Sequence, residues 1–248
     1  MQKIYIFWLR QLKKYFRSKS RIIGSLGQPI LFLLAFGYGF GSVFQQAGQG
    51  NYLNFLAPGI ISMSIIFTAI FSGIEIIWDR QFGFLKETLV APVSRLNIMI
   101  GKTLGGATVA TIQGVLVLFI SLLFGLELSN WQLIIPIILL MFLIALLFTS
   151  LGILIASFLE DMQGFQLIMN FLIMPLFFLS GALFPLNDLP SFLQFITKIN
   201  PLTYGVDALR FLMIDNSYFL LSLDILVLSV STIILLFLGS FFFRRIQI

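Results

Sequence analysis

Side chains that ordinarily carry chemistry are scarce in this sequence. Its 248 residues include no histidine and no cysteine, which removes thiolate nucleophiles, disulfides, the Ser–His–Asp constellation and the commonest metal ligands. Glu160 and Asp161 are an acidic pair, but they occupy adjacent positions in a tight turn rather than flanking a substrate. Gly101-Lys102-Thr103 resembles the end of a phosphate loop, yet Leu96 and Asn97 stand where the upstream glycine belongs and an apolar run follows. No catalytic residue and no metal ligand is assigned, and the chain reads as a non-enzyme.

The charges that do occur are concentrated. The stretch Trp78 to Lys102 holds six of them between two long apolar runs, and it is far longer than the few residues that join antiparallel helices. Phe82, Leu85 and Leu89 recur at helical spacing and share a face, with Arg80, Lys86 and Glu87 away from it. Pro92 ends that helix, and Ser94 is placed to cap a second one from Arg95 onward. A short amphipathic helix across the mouth of a helical hairpin is the expectation; a basic loop without a partner is the plainer reading of the same residues.

The elements that position this connector follow from composition. With 59% hydrophobic and 10% charged residues, against about 25% charged in soluble domains, the chain is an all-α, polytopic membrane protein. A net charge of +5 does not indicate nucleic acid, because the cations flank apolar runs instead of forming a solvated patch. Residues 1–21 carry seven Lys or Arg and no acid. Ile4, Trp8, Leu12 and Tyr15 follow helical spacing, which predicts an amphipathic helix with Trp8 in the headgroup boundary and Lys13, Lys14 and Arg17 on anionic lipid. The arm is too long and lacks the small-residue site of a cleaved signal peptide.

Six spans are expected, at about 22–44, 55–77, 103–125, 133–158, 165–184 and 219–243, each near the 20 residues that cross roughly 30 Å of hydrocarbon. Glu75 and Asp79 fall at the end of the second, close enough to the interface to be solvated. Gly101 with Gly105, and Gly106 with Ala110 and Gly114, form small-residue ladders for close helix contact. The stretch 185–217 is broken by Pro185, Pro190 and Pro201 into short pieces, read as interfacial helices. Thirteen Lys or Arg fall on the side of both termini and the connector, against Lys198 and Arg210 on the other, so the termini and the connector are expected to be cytoplasmic. The spans lack ionisable groups at mid-depth, Glu75 and Asp224 lying toward interfaces, which argues against a proton- or ion-coupled carrier.

Two blocks carry a family resemblance. Arg80-Gln81-Phe82-Gly83-Phe84-Leu85-Lys86-Glu87-Thr88-Leu89-Val90-Ala91-Pro92-Val93-Ser94-Arg95, followed by Gly101-Lys102, resembles the loop signature of ABC type-2 transporter membrane subunits. Leu179-Ser180-Gly181-Ala182-Leu183-Phe184-Pro185, Leu189-Pro190, Asn200-Pro201-Leu202-Thr203-Tyr204 and Asp207-Ala208-Leu209-Arg210 are similar to the segment before that family's last helix. The resemblance is closest to the small six-helix drug, polysaccharide and lipo-oligosaccharide exporters. It implies a half-transporter: two permease chains, homodimeric or related, form a pathway in the plasma membrane, most simply a bacterial inner membrane, above two ATP-binding cassette subunits that hold ATP and Mg. No cofactor is then bound by this chain itself.

The resemblance also implies that the connector is a coupling helix seated in an ATPase groove. Arg80, Phe82, Gly83, Leu85, Lys86, Glu87 and Leu89 would form its surface, Pro92, Ser94 and Arg95 would fix its exit, and the N-terminal helix would touch the ATPase as well. Spans one, two and five would line the pathway; substrate-binding residues do not follow. An ion-coupled or facilitative carrier and a membrane scaffold are the competing functions.

Overall fold

The computed structural model describes residues 2–41, 51–83, 93–186 and 189–243. Its helices are α1 (Gln2–Arg17), α2 (Lys19–Gly39), α3 (Tyr52–Phe71), α4 (Ile74–Gln81), α5 (Arg95–Leu123), α6 (Ile134–Ala156), α7 (Met162–Phe178), α8 (Ser191–Ile199), α9 (Pro201–Ile214) and α10 (Leu221–Phe243). No strand occurs among the described residues. Five stretches are long and apolar enough to cross a bilayer: 22–39 in α2, the α3–α4 run, α5, α6 with the turn before it, and α10. Helix α7 is apolar but has 17 residues, about 26 Å at 1.5 Å per residue. The fifth expected span therefore begins earlier, at Met162, and stops at Phe178; Gly181, at φ +72°, turns the chain soon after.

Helices α3, α5 and α6 pack on one another as the centre of the bundle; α2 lies on α3, α10 on α6, and α7 leans on α3 and α4. The second span runs well past residue 77, from Tyr52 to Gln81 with a turn at Ser72–Gly73. The reason is a close crossing. A Cβ at Gly73 would strike the Gly152 carbonyl, and one at Gly152 would strike the Ile70 carbonyl, so α4 and α6 can approach backbone to backbone only because both positions are glycine.

Two helices expected at the interface make protein contacts that the sequence did not indicate. Helix α9 is enclosed by protein: residues 202–210, Leu212 and Met213 are all buried, against α3, α6 and α10. Arg210, counted from sequence as an outer cation, donates from Nη2 to the carbonyls of Gly181 at 2.8 Å and Phe55 at 3.4 Å, with its guanidinium 4.0 Å over the Phe55 ring. Asp207 accepts from the N–H groups of Tyr218 and Phe219. Of the two helices read as interfacial, α8 does keep an exposed apolar face, with Phe192, Phe195 and Ile199.

Helix α1 likewise packs on protein along one face. A Cβ on Gly101 would meet the Cβ of Phe7 at 2.6 Å, and one on Gly105 the Cγ of Gln11 at 2.6 Å. Trp8 Nε1 donates to Thr108 Oγ1 at 3.0 Å, and the Tyr15 hydroxyl to Gln113 Oε1 at 2.7 Å. Contacts climb along both helices together, so α1 runs parallel to α5 in a glycine-floored groove. The aromatic face expected on lipid is spent on protein because that groove offers close packing and hydrogen-bond partners at once.

Candidate functional site

The residues just before the connector form a charged junction. Helix α4 is short, and it carries Glu75 and Asp79 four apart, hence on one face. Helix α1 carries Arg10 and Lys14 at the same spacing. Arg10 Nη2 reaches Asp79 Oδ1 at 3.2 Å and Lys14 Nζ reaches Glu75 Oε1 at 3.3 Å. The pairing 10 with 79 and 14 with 75 means that α1 runs antiparallel to α4 across two rungs. Lys14 also sits 5.5 Å above the Trp78 ring.

A third cation closes the cluster from α5. Lys102 Nζ donates to Asp79 Oδ2, and the Lys102 side chain is only 5% exposed. Asp79 thus holds α1 and α5 to α4 with one carboxylate. A buried ammonium left without an anion costs several kcal/mol, so Lys102 ties the start of α5 firmly to the end of α4. The sequence reading missed Glu75, Asp79 and Lys102 as partners and placed the two acids in solvent; both residues are 8% exposed. The legible signal was the matched spacing of opposite charges in two helices.

The remaining link goes to the turn between α6 and α7. Arg80 Nη2 donates to Glu160 Oε1 at 2.9 Å, and Gln81 Nε2 to the Glu160 carbonyl at 2.9 Å. Asp161 caps α7, its carboxylate accepting from Gly164 N–H. The acidic turn therefore has a defined job at this end of the bundle, fastening α4 and starting α7.

Of the residues assigned to the connector surface, Arg80 is thus in an ion pair, and Phe82 is 66% exposed with its ring edge-on to Trp78 at 5.9 Å. Gly83, at φ +79°, ends α4 in the left-handed region that favours glycine. Leu85, Lys86, Glu87, Leu89 and Pro92 lie outside the described residues. Ser94 caps α5, its Oγ accepting from Asn97 N–H at 3.3 Å, and Arg95 is the first residue of that helix. Among the residues expected at the membrane interface, Lys13 and Arg17 are exposed, Lys14 pairs with Glu75, and Trp8 turns onto α5. No group of three or more carboxylates suited to a metal occurs among the described residues.

Helix α4, held by α1, α5 and the α6–α7 turn, thus ends on the exposed Phe82. The family described as ABC-2 type transporter matches residues 2–214. A putative transport permease, ycf38, of Cyanophora paradoxa is 31% identical over 225 residues, 88% of this chain and 76% of that protein. Nodulation protein J of Rhizobium meliloti is 26% identical over 91% of this chain and 86% of its own length, and the inner membrane transport permease YadH of Escherichia coli K12 is 28% identical over 82% and 80%. The chain belongs to the ABC-2 type transporter family and is a membrane permease of an ABC transporter.

Proposed function

We propose that this permease is the membrane-spanning half of an ATP-driven exporter for a hydrophobic or amphipathic substrate. Two ATP-binding cassette subunits, carrying ATP and Mg, dock at the charged end, and a second permease chain completes the pathway in a bacterial plasma membrane. Both termini and the connector face the cytoplasm. The observation that carries this reading is the junction around Asp79, which joins α4 to α1 and α5, with Arg80 fastening the α6–α7 turn.

The connector leaves α4 at Gly83 and re-enters the bundle at Ser94. Closure of the ATPase dimer displaces it, and the ion pairs pass that displacement to four elements together, so the helices re-pack as bodies to alternate access. Leu85 and Leu89 form the apolar knob in the ATPase groove, with Lys86 and Glu87 at its rim. Two buried leucines are worth about 3–6 kcal/mol at 1.5–3 each, against about 0.2–1 kcal/mol for each exposed rim pair. Leu85→Asp is therefore expected to release the ATPase and abolish transport while the chain still inserts. Co-purification of the ATPase and its hydrolysis in reconstituted vesicles measure this, and an unchanged result for both reduces the connector to a basic loop.

One observation favours the competing carrier. Asp224 is fully buried in α10 with neither carboxylate oxygen hydrogen-bonded, and a proton-coupled carrier needs such a group. Transport that collapses with a proton uncoupler while ATP is held constant would select that reading; transport that collapses with ATP selects the exporter.

A further inference from the structure

A cavity of about 240 Å3 lies between α2 and α3, with Tyr15 of α1 also lining it. Four of its lining residues are Ser25 and Gln28 from α2 and Ser64 and Thr68 from α3. Ser64 is 4% exposed, and its Oγ has no hydrogen-bond partner. Pro29 lines the same space, and because it has no N–H it cannot close the helical bond to the Ser25 carbonyl. Hydrocarbon offers none of these groups a partner, and polar backbone or side chains at membrane depth are tolerated where they face protein or a water-filled path. A cavity that holds an unpaired hydroxyl and a freed carbonyl is built to be filled by something with hydrogen bonds of its own.

Its chemistry narrows the occupant. No described residue lining it is charged, so a phosphate or carboxylate finds no cation and an ammonium no anion. Phe67 and Phe71 are near-parallel, 8° apart with centroids at 6.3 Å, and give one wall an apolar surface for a ring or chain. The volume equals about eight waters at roughly 30 Å3 each, enough for one ring with its hydroxyls. On the α2 side a Cβ at Gly24 would meet nothing within 4 Å, and Gln28 is exposed. The mouth is therefore open sideways, beside the exposed apolar Ile23 and Leu31 on which a tail can lie.

We propose that this cavity binds the uncharged, hydroxyl- or amide-bearing headgroup of the amphipathic substrate. Ser64 and the Ser25 carbonyl hydrogen-bond it, Thr68 and Gln28 flank it, and the Phe67–Phe71 pair lies along its apolar side. The inference rests on the export reading for the word substrate, but the site can be tested without any ATPase.

The chain has no cysteine, so Met63→Cys, at a buried apolar position lining the cavity beside Ser64, introduces a single thiol and keeps the Ser64 hydroxyl, and a maleimide reports whether that thiol is wet, since the thiolate is the reactive form. The full chain in phosphatidylcholine nanodiscs is labelled with and without octyl glucoside, octyl phosphate or octyltrimethylammonium; Leu139→Cys, 63% exposed on α6, serves as the lipid-facing control. The expected result is labelling of Met63→Cys but not of Leu139→Cys, slowed about tenfold by the glucoside near ten times its Kd through the factor 1 + [L]/Kd, and unaffected by the two charged amphiphiles. Adding Ser64→Ala, Thr68→Val or Gln28→Leu weakens the protection. Equal protection by all three amphiphiles means a generic apolar slot, and no labelling or no protection means a dry or empty one; each overturns the proposal. Co-purification of the ATPase by the same preparation tests the export reading separately, so the two can fail independently.

Discussion

Asp79 is the residue whose loss should be felt most, and the size of the effect can be worked out in advance. Asp79→Asn keeps the shape but removes the charge that faces both Arg10 and Lys102. Arg10 is 45% exposed, so its rung is a surface pair worth about 0–1 kcal/mol. Lys102 is 5% exposed, and stranding one partner of a buried pair costs about 3–5 kcal/mol. At roughly 2–4 °C per kcal/mol for a chain of this size, the melting temperature should fall by roughly 6–20 °C. Lys102→Met alone should cost less, because Arg10 still faces Asp79. The double variant, with the buried pair replaced by apolar and neutral groups, should recover most of the loss. Tryptophan fluorescence in nanodiscs is the assay, since Trp8 and Trp78 both sit beside the junction and Trp131→Phe silences the remaining tryptophan. Melting of Asp79→Asn at the wild-type temperature, or a double variant that merely adds the two single losses, would refute the argument.

The groove under α1 gives a second test: Gly105→Leu overpacks against Gln11, at about 1–3 kcal/mol, and should free α1 so that trypsin cuts at Lys13 or Lys14, whereas unchanged digestion would mean α1 is held elsewhere. Arg80→Ala removes a pair whose Glu160 side chain is 79% exposed, so stability should shift by only about 0–1 kcal/mol while ATP-driven transport drops; a melting loss beyond roughly 4 °C would show that the pair is structural. For orientation, Gln46→Cys and Asn187→Cys should react with an impermeant thiol reagent applied to intact cells and Lys86→Cys should not, labelling of the last reversing the proposed sidedness.

Much of the fold was legible because hydrocarbon forces the backbone into helices and leaves apolar runs long enough to count. Helix ends were less legible. The second span outlasts its apolar run because two glycines, Gly73 and Gly152, let α4 ride against α6 and carry charged residues into a protein environment. The burial of α9 was hidden for a similar reason: Arg210 and Asp207 read as interfacial charges, and only their partners, the carbonyls of Gly181 and Phe55 and the N–H groups of Tyr218 and Phe219, explain how they enter the bundle. Amphipathicity located α1 but not its surroundings, since an apolar stripe along a helix says which face wants burial and not whether lipid or a glycine groove supplies it. Within the candidate site, the cap at Ser94 follows from local sequence, whereas the pairing of Asp79 with Lys102 spans 23 residues and depends on the tertiary approach of α4 and α5.

The same cations serve two purposes at different stages, and the two do not conflict. The positive-inside bias counts Lys and Arg near the ends of spans and is nearly blind to acids, so during insertion Arg10, Lys14, Arg80 and Lys102 act with the other basic residues whatever their later partners. Once the helices pack, these four are matched by Glu75, Asp79 and Glu160. Setting them aside leaves nine of the thirteen cations on that side, still opposed by Lys198 and a buried Arg210, so the proposed orientation does not depend on the paired ones. A junction built from topology-determining charges also has a mechanical advantage. Apolar contacts between smooth helices permit sliding, whereas two rungs four residues apart fix the register of α1 on α4, and the Lys102 link adds α5 to the same body. On the proposed mechanism, a displacement of the connector is not absorbed as slip at α4 but passes to α1, α5 and the α6–α7 turn together.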